Sequence, residues 1–289
     1  MTGKEGAQRN AGTTTNHLQP IGIFDSGYGG LTVMREIIRH LPQYDYHYLG
    51  DNARSPYGPR SFERVCQFTA EAVAWLFDQG CPLVIVACNT ASAKALRTIQ
   101  QKDLPRIDPS KRVLGVLRPV TEQADTFTKT RHVGVLGTRG TVESHSYPME
   151  IQKLFPDITV TQEACPMWVP LVENGEYDSA GADYFIEKHI ANLLRKDPEI
   201  DALILGCTHY PLLIDKIVHY LPRSVRVIVQ GALVAERLAD YLDRHPDIAA
   251  RCSTSARRRY FTTDAPARFN HHARIFMGKA VDAEQITLP

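Results

Sequence analysis

The sequence predicts an α/β protein built from two related parallel-sheet domains, with a site in the cleft between them. Three observations predict it. Short apolar runs alternate with stretches of helical periodicity, the pattern of parallel strands joined by crossover helices. The order of apolar strand, Gly-rich turn and helix runs twice along the chain. In each half a later apolar strand ends at a cysteine, Cys88 in the first and Cys207 in the second.

The elements follow in order. Residues 1–20 are rich in Gly, Thr, Asn and Gln with no apolar stretch, so they read as a disordered leader rather than a signal peptide or an anchor. Residues 21–24 form a first strand, Asp25-Ser26-Gly27-Tyr28-Gly29-Gly30 a turn, and 31–41 a helix. Residues 46–49 form a second strand ended by Gly50-Asp51, and 62–79 a long helix. Residues 83–87 are a continuous apolar strand that enters a helix near Asn89.

Residues 132–137 resemble the opening strand, and 202–205 resemble the strand before Cys88. Gly22 and Gly134 stand nearly as far apart as Cys88 and Cys207, which fits two related units. Residues 225–229 read as another strand, 232–242 as an amphipathic helix, 260–263 as the last strand and 265–277 as the closing helix. The expected domains are 21–117 with 230–289, and 118–229.

Composition narrows the function. A chain of 289 residues suits two ordinary domains, and 43% hydrophobic residues suffice for a core. A net charge of +1 argues against nucleic acid or a membrane surface as partner, and the run 257–259 of three arginines reads as a solvated face. No stretch approaches the roughly 20 apolar residues of a membrane helix, so a cytoplasmic location is expected. The six cysteines form no C-x-x-C pair, which argues against structural zinc, and a reducing compartment argues against disulfides. Cys66, Cys81, Cys165 and Cys252 read as small buried hydrophobes.

Cys88 and Cys207 stand apart. Each follows an apolar strand and precedes a polar trio, Asn89-Thr90-Ala91 and Thr208-His209-Tyr210, expected to open a helix. Ligands of open α/β sheets bind at such strand ends. A helix N-terminus lowers a thiol's pKa below its free value of about 8.5, and its N–H groups can hold a carboxylate. Each cysteine is therefore placed to act as a base beside a bound carboxylate. The alternative is that one or both merely pack the sheet edge.

The motifs I-G-I-F-D-S-G-Y-G-G-L-T-V, Y-L-G-D-N-A-R-S-P-Y-G, V-A-C-N-T-A-S-A, G-V-L-G-T-R-G-T-V-E-S, C-P-M-W-V-P-L-V-E and L-I-L-G-C-T-H-Y-P-L-L occur in order between Ile21 and Leu213. With the tail F-T-T-D-A-P-A-R-F, they resemble the successive signatures of glutamate racemases, in the aspartate/glutamate racemase superfamily. The resemblance implies interconversion of L- and D-glutamate without a cofactor, D-glutamate then entering peptidoglycan. It implies Cys88 and Cys207 as the acid/base pair, with Asp25 and His209 assisting the thiols or the ammonium group. Ser26 with Pro56, Tyr57 and Gly58 resembles the pocket for the side-chain carboxylate. Asn89, Thr90, Thr138, Thr141 and Thr208 resemble the groups around the α-carboxylate and ammonium, and Glu173 an acid near the cleft. The resemblance also admits a cell-wall-precursor activator and a homodimer as partners.

Plainer readings stand beside these. Asp25, Ser26 and Thr90 are equally suited to cap helices, Pro56-Tyr57-Gly58, Thr138 and Thr141 to form turns, and His209 to sit satisfied in the core. Two segments depart from the family's pattern: Arg118-Pro119, where an acid usually precedes the proline, and Val229-Gln230-Gly231, where Asp-Ser-Gly is common. Both fall where the chain should cross between domains. Three rival functions remain: a racemase of aspartate or another acidic amino acid, against which S-P-Y-G at 55–58 argues; a non-catalytic amino-acid-binding protein; and an interaction role such as topoisomerase inhibition.

Overall fold

The computed structural model describes residues 19–289, so all but the last two residues of the expected leader lie outside it. Ten strands are present among the described residues: β1 (Ile21–Asp25), β2 (Tyr46–Gly50), β3 (Leu83–Val86), β4 (Arg112–Gly115), β5 (His132–Gly137), β6 (Thr159–Ala164), β7 (Ala202–Gly206), β8 (Arg226–Ile228), β9 (Arg258–Thr262) and β10 (Ala283–Gln285). They form two sheets, of order β10-β9-β2-β1-β3-β4 and β6-β5-β7-β8, and every pairing is parallel.

The middle of the first sheet and the whole of the second share one winding. β1 lies between β2 and β3 as β5 lies between β6 and β7, and β4 and β8 follow on the same side. Gly22 pairs with Val84, and Gly134 with Leu203, so the two glycines hold corresponding places. Helices cover both faces of the sheets, which is why β1, β2, β3 and β7 are buried along their full length and read as mostly apolar runs, broken only by Asp25 in β1 and His47 in β2.

Two sequence expectations are corrected. Residues 260–263 are not the last strand: β10 follows the helix Pro266–Met277 and pairs with β9 at the sheet edge. Its sequence, Ala-Glu-Gln, has no apolar run to signal it. The polar trio after Cys207 does not open an α-helix. It leads by a turn into the 3-10 helix Tyr210–Leu213, whose bonds run from Tyr210 N–H to the Cys207 carbonyl and from Leu212 N–H to the His209 carbonyl. Pro211 supplies no N–H to an α-helical ladder at this point. The arginines 258 and 259 belong to β9, where Arg259 pairs with Glu284 of β10 at the surface.

Candidate active site

The Gly-rich turn after β1 brings the two domains together. Gly29 begins its helix with an ordinary φ of −59°, so its lack of a side chain serves close approach rather than backbone freedom. A Cβ there would lie 2.2 Å from Thr208 Oγ1 and 2.5 Å from His209 Nδ1. Nearby, Thr32 Oγ1 donates to the Thr208 carbonyl at 3.0 Å, and Thr208 Oγ1 donates to Asp25 Oδ2 at 3.4 Å. The carboxyl end of β1 is thus locked against that of β7.

A cavity of about 270 Å³ opens beside this contact, near the lower end of the range for small-ligand sites. Ser26, Pro56, Tyr57, Gly58, Cys88, Asn89, Thr90, Thr138, Cys207, Thr208 and His209 line it. Three expected residues stand behind the wall. Asp25 is fully buried under the turn and accepts from Gly27 N–H at 2.9 Å. Thr141 supports Thr138 and Thr90 in a hydroxyl cluster, at 3.1 and 3.4 Å. Glu173 reaches the site through His209, whose Nε2 is 3.0 Å from its Oε1.

The two thiols have different neighbours. Cys88 caps the helix Asn89–Lys94, its Sγ 3.5 Å from Ala91 N–H and 3.5 Å from Ser26 Oγ. Contrary to the sequence expectation, its pKa is not lowered. Burial pushes the thiol up to about 12, with the charge of Asp25 adding to the rise; hydrogen bonding with Ser26 and Ala91 only moderates it. A cap N–H cannot compensate for removal from water. At neutral pH Cys88 is a thiol that donates to Ser26.

Cys207 instead has an imidazole beside it, His209 Nδ1 lying 4.0 Å from its sulfur. Burial works against a charged imidazole, but hydrogen bonding and charge from Cys207 and Glu173 outweigh it and hold His209 up to about 10. His209 is therefore an imidazolium with one N–H toward Glu173 and the other toward Cys207. Burial likewise raises the Asp25 carboxyl, opposed by His209.

The Pro56-Tyr57-Gly58 wall of the cavity offers it few side-chain polar groups. The Tyr57 hydroxyl is committed to Asp51 Oδ2 at 2.5 Å, so Tyr57 offers the cavity its ring and backbone. Thr138 caps the helix Arg139–Glu143 through its bond from Thr141 N–H, and also meets Thr90 across the domains at 2.8 Å. Thr138 thus both caps a helix and lines the cavity.

Sequence reasoning missed Ser55, Pro59, Arg139, Cys165, Pro166, Val169 and Pro170 in the lining. Arg139 stands within the G-T-R-G-T motif, and Cys165 to Pro170 within C-P-M-W-V-P, so the signal was present but unassigned. Cys165 is more than a core hydrophobe: it walls the cavity, with its thiol pushed well above the ordinary range by burial and then by Glu163.

The comparisons agree with this geometry. The model of the Asp/Glu/Hydantoin racemase family matches residues 21–238. The chain belongs to that family. A glutamate racemase of Listeria innocua is 42% identical over 257 residues, covering 89% of this chain and 93% of its own. A glutamate racemase isoform of Bacillus anthracis superposes with a TM-score of 0.86 at 36% identity, covering 94% of this chain and 99% of its own. Escherichia coli glutamate racemase, solved with L-glutamate and the activator UDP-MurNAc-ala, gives a TM-score of 0.75 at 26% identity, covering 94% and 99%. Members of this family are isomerases, and the two-sheet architecture here is theirs. Among the described residues no helix is long and apolar enough to cross a membrane.

Proposed function

We propose that this protein interconverts L- and D-glutamate without a cofactor, with Cys88 and Cys207 as its two bases, and so supplies D-glutamate for peptidoglycan in the cytoplasm. One observation carries the mechanism: two thiols, each just past the end of a corresponding strand, β3 and β7, line a single cavity. Racemisation removes the α-proton from one face of the substrate and returns a proton to the other. Two groups are needed, one starting as thiolate and the other as thiol. The setting of Cys88 supports the thiol role in the resting state, and His209 stands beside Cys207 with Nδ1 4.0 Å from its sulfur.

The difficult step is ionisation of the α-carbon. Hydrogen bonds that strengthen as charge spreads onto the α-carboxylate stabilise that transition state, and Asn89, Thr90, Thr138 and Thr208 are candidate donors. Burial between domains strengthens them further by excluding water. Ser26 and the backbone of Tyr57 and Gly58 are proposed to hold the distal carboxylate. Asp25 and His209 are proposed to steady the ammonium group and the thiol pair.

The test is a circular-dichroism racemisation assay on purified protein with no cofactor added, using each enantiomer of glutamate and of aspartate. Glutamate turnover with little aspartate turnover is expected. A shorter substrate would leave the distal polar groups unpaired. Dependence on added pyridoxal phosphate, or equal kcat/KM for aspartate, would refute the proposal.

An activator like that of the Escherichia coli relative needs a second site. A groove of about 1380 Å³ bordered by Arg60, Lys94, Arg139 and Lys153 has the size and charge for a nucleotide-sugar precursor. Adding the precursor to the same assay tests for it.

A further inference from the structure

One buried polar cluster joins Asn89 to two residues that the chemistry above does not use, Gln230 and Tyr147. Gln230 opens the helix Gln230–Arg244, where the chain leaves β8 and returns to the first domain. It is 4% exposed. Its side chain meets Asn89 in a reciprocal amide pair. Asn89 Nδ2 donates to Gln230 Oε1 at 2.8 Å, and Gln230 Nε2 donates to Asn89 Oδ1 at 3.0 Å. Tyr147, fully buried in the helix Ser146–Leu154 of the second domain, completes the triangle. Its hydroxyl donates to Asn89 Oδ1 at 2.8 Å and accepts from Gln230 Nε2.

Counting hydrogen-bonding positions shows what the cluster does. An amide has two N–H donors and an oxygen with two lone pairs. Gln230 spends both donors and one lone pair within the triangle. Asn89 spends both lone pairs and one donor, so a single Nδ2–H is left over. Asn89 lines the cavity and follows Cys88 directly.

We infer that Gln230 is a positioning residue for substrate binding: through the paired amides it holds Asn89 so that the group left free toward the cavity is an N–H donor suited to a carboxylate. Gln230 touches no substrate itself. Tyr147 ties the arrangement to the second domain. A serine at this position is too short to form the reciprocal pair. The inference rests on the proposed racemisation, because it takes the ligand to be glutamate.

The experiment compares wild type with Gln230→Met, Gln230→Ser, Asn89→Ala and the Asn89→Ala/Gln230→Met double variant. KM and kcat are measured in both directions, with calorimetric Kd for D-glutamate and the pH profile of kcat/KM. Methionine keeps the volume of glutamine without its hydrogen bonds. Gln230→Met is expected to raise KM and Kd roughly tenfold, the worth of one hydrogen bond to a charged group, while the pH profile keeps its shape. The double variant should bind no worse than Asn89→Ala alone, because both changes remove the same donor. Gln230→Ser should behave like Gln230→Met. Wild-type KM in Gln230→Met, or additive losses in the double variant, overturns the inference. Absence of glutamate turnover in the wild type would instead condemn the proposed function, so the two failures are distinguishable.

Discussion

His209 stands with Nε2 3.0 Å from Glu173 Oε1 and Nδ1 4.0 Å from Cys207 Sγ, so Cys207 and then Glu173 hold its charge, Glu173 doing so without lining the cavity. The imidazole is held up to about 10 against an ordinary 6.5. By nuclear magnetic resonance the His209 ring should therefore remain protonated through neutral pH and titrate only in the alkaline range. Glu173→Gln should move that titration downward, and the alkaline limb of kcat/KM with it. A wild-type His209 that titrates near the ordinary value would contradict the assigned charge.

The same shift has a consequence for stability. A histidine whose pKa rises on folding stabilises the fold fully below its unfolded value and loses that contribution as pH rises through the folded value. The window here runs from about 6.5 to about 10. Across it, Tm should fall more steeply in wild type than in His209→Gln, when the two are compared by thermal melts at matched ionic strength. Parallel curves would contradict the linkage.

Cys88 should be a protonated thiol in the ligand-free protein, since burial and then Asp25 hold it up to about 12. Asp25→Asn removes the charge, so the ultraviolet thiolate absorbance of Cys88, isolated by difference against Cys88→Ser, should appear at lower pH. Racemisation should nevertheless fall, by a factor on the order of 10² or more if Asp25 assists proton transfer. An unchanged thiolate titration would show that the charge of Asp25 does not reach Cys88.

Separate roles for the thiols can be read from a half-reaction. We extend the proposal with the roles that the resemblance to glutamate racemases implies: Cys88 takes the proton from D-glutamate and Cys207 from L-glutamate. An N-hydroxylated glutamate can lose its leaving group after deprotonation alone, with no return of a proton. Cys88→Ser should still eliminate from the L-form and Cys207→Ser from the D-form. Loss of both forms in both folded variants would rule out one base per face, and normal glutamate racemisation by Cys88→Ala would remove the mechanism altogether.

Gly29→Ala tests the contact between the domains. The added Cβ would fall 2.2 Å from Thr208 Oγ1 and 2.5 Å from His209 Nδ1, and both belong to the opposite domain. Forcing that contact apart should cost about 1–3 kcal/mol of stability by chemical denaturation and depress kcat/KM disproportionately. A variant with wild-type kcat/KM would mean that the cleft tolerates a wider gap than the structure implies.

The sequence was most legible where strands are buried on both faces. β1, β2, β3 and β7 announce themselves because helices cover both sides and nearly every position is apolar. β6 was not assigned, because as the edge of the second sheet it alternates polar and half-buried positions in Thr-Val-Thr-Gln-Glu-Ala. The residues brought together in the cavity were likewise mostly named from motifs at strand ends, since parallel topology gathers those ends on one side.

By itself, then, the sequence determined the α/β class, the repeated winding and the placing of two cysteines at corresponding strand ends. These follow from local periodicity and from the rules of parallel connection. Only the tertiary structure decided the electrostatics: that Cys88 is raised rather than lowered, that Cys207 faces an imidazolium instead of a helix terminus, and that Gln230 and Tyr147 grip Asn89. Burial and charge at a point depend on atoms contributed by both domains. Cys88 and Asp25, like Asn89 and Gln230, are far apart along the chain, and no short-range pattern in the sequence encodes how deeply such pairs are removed from water.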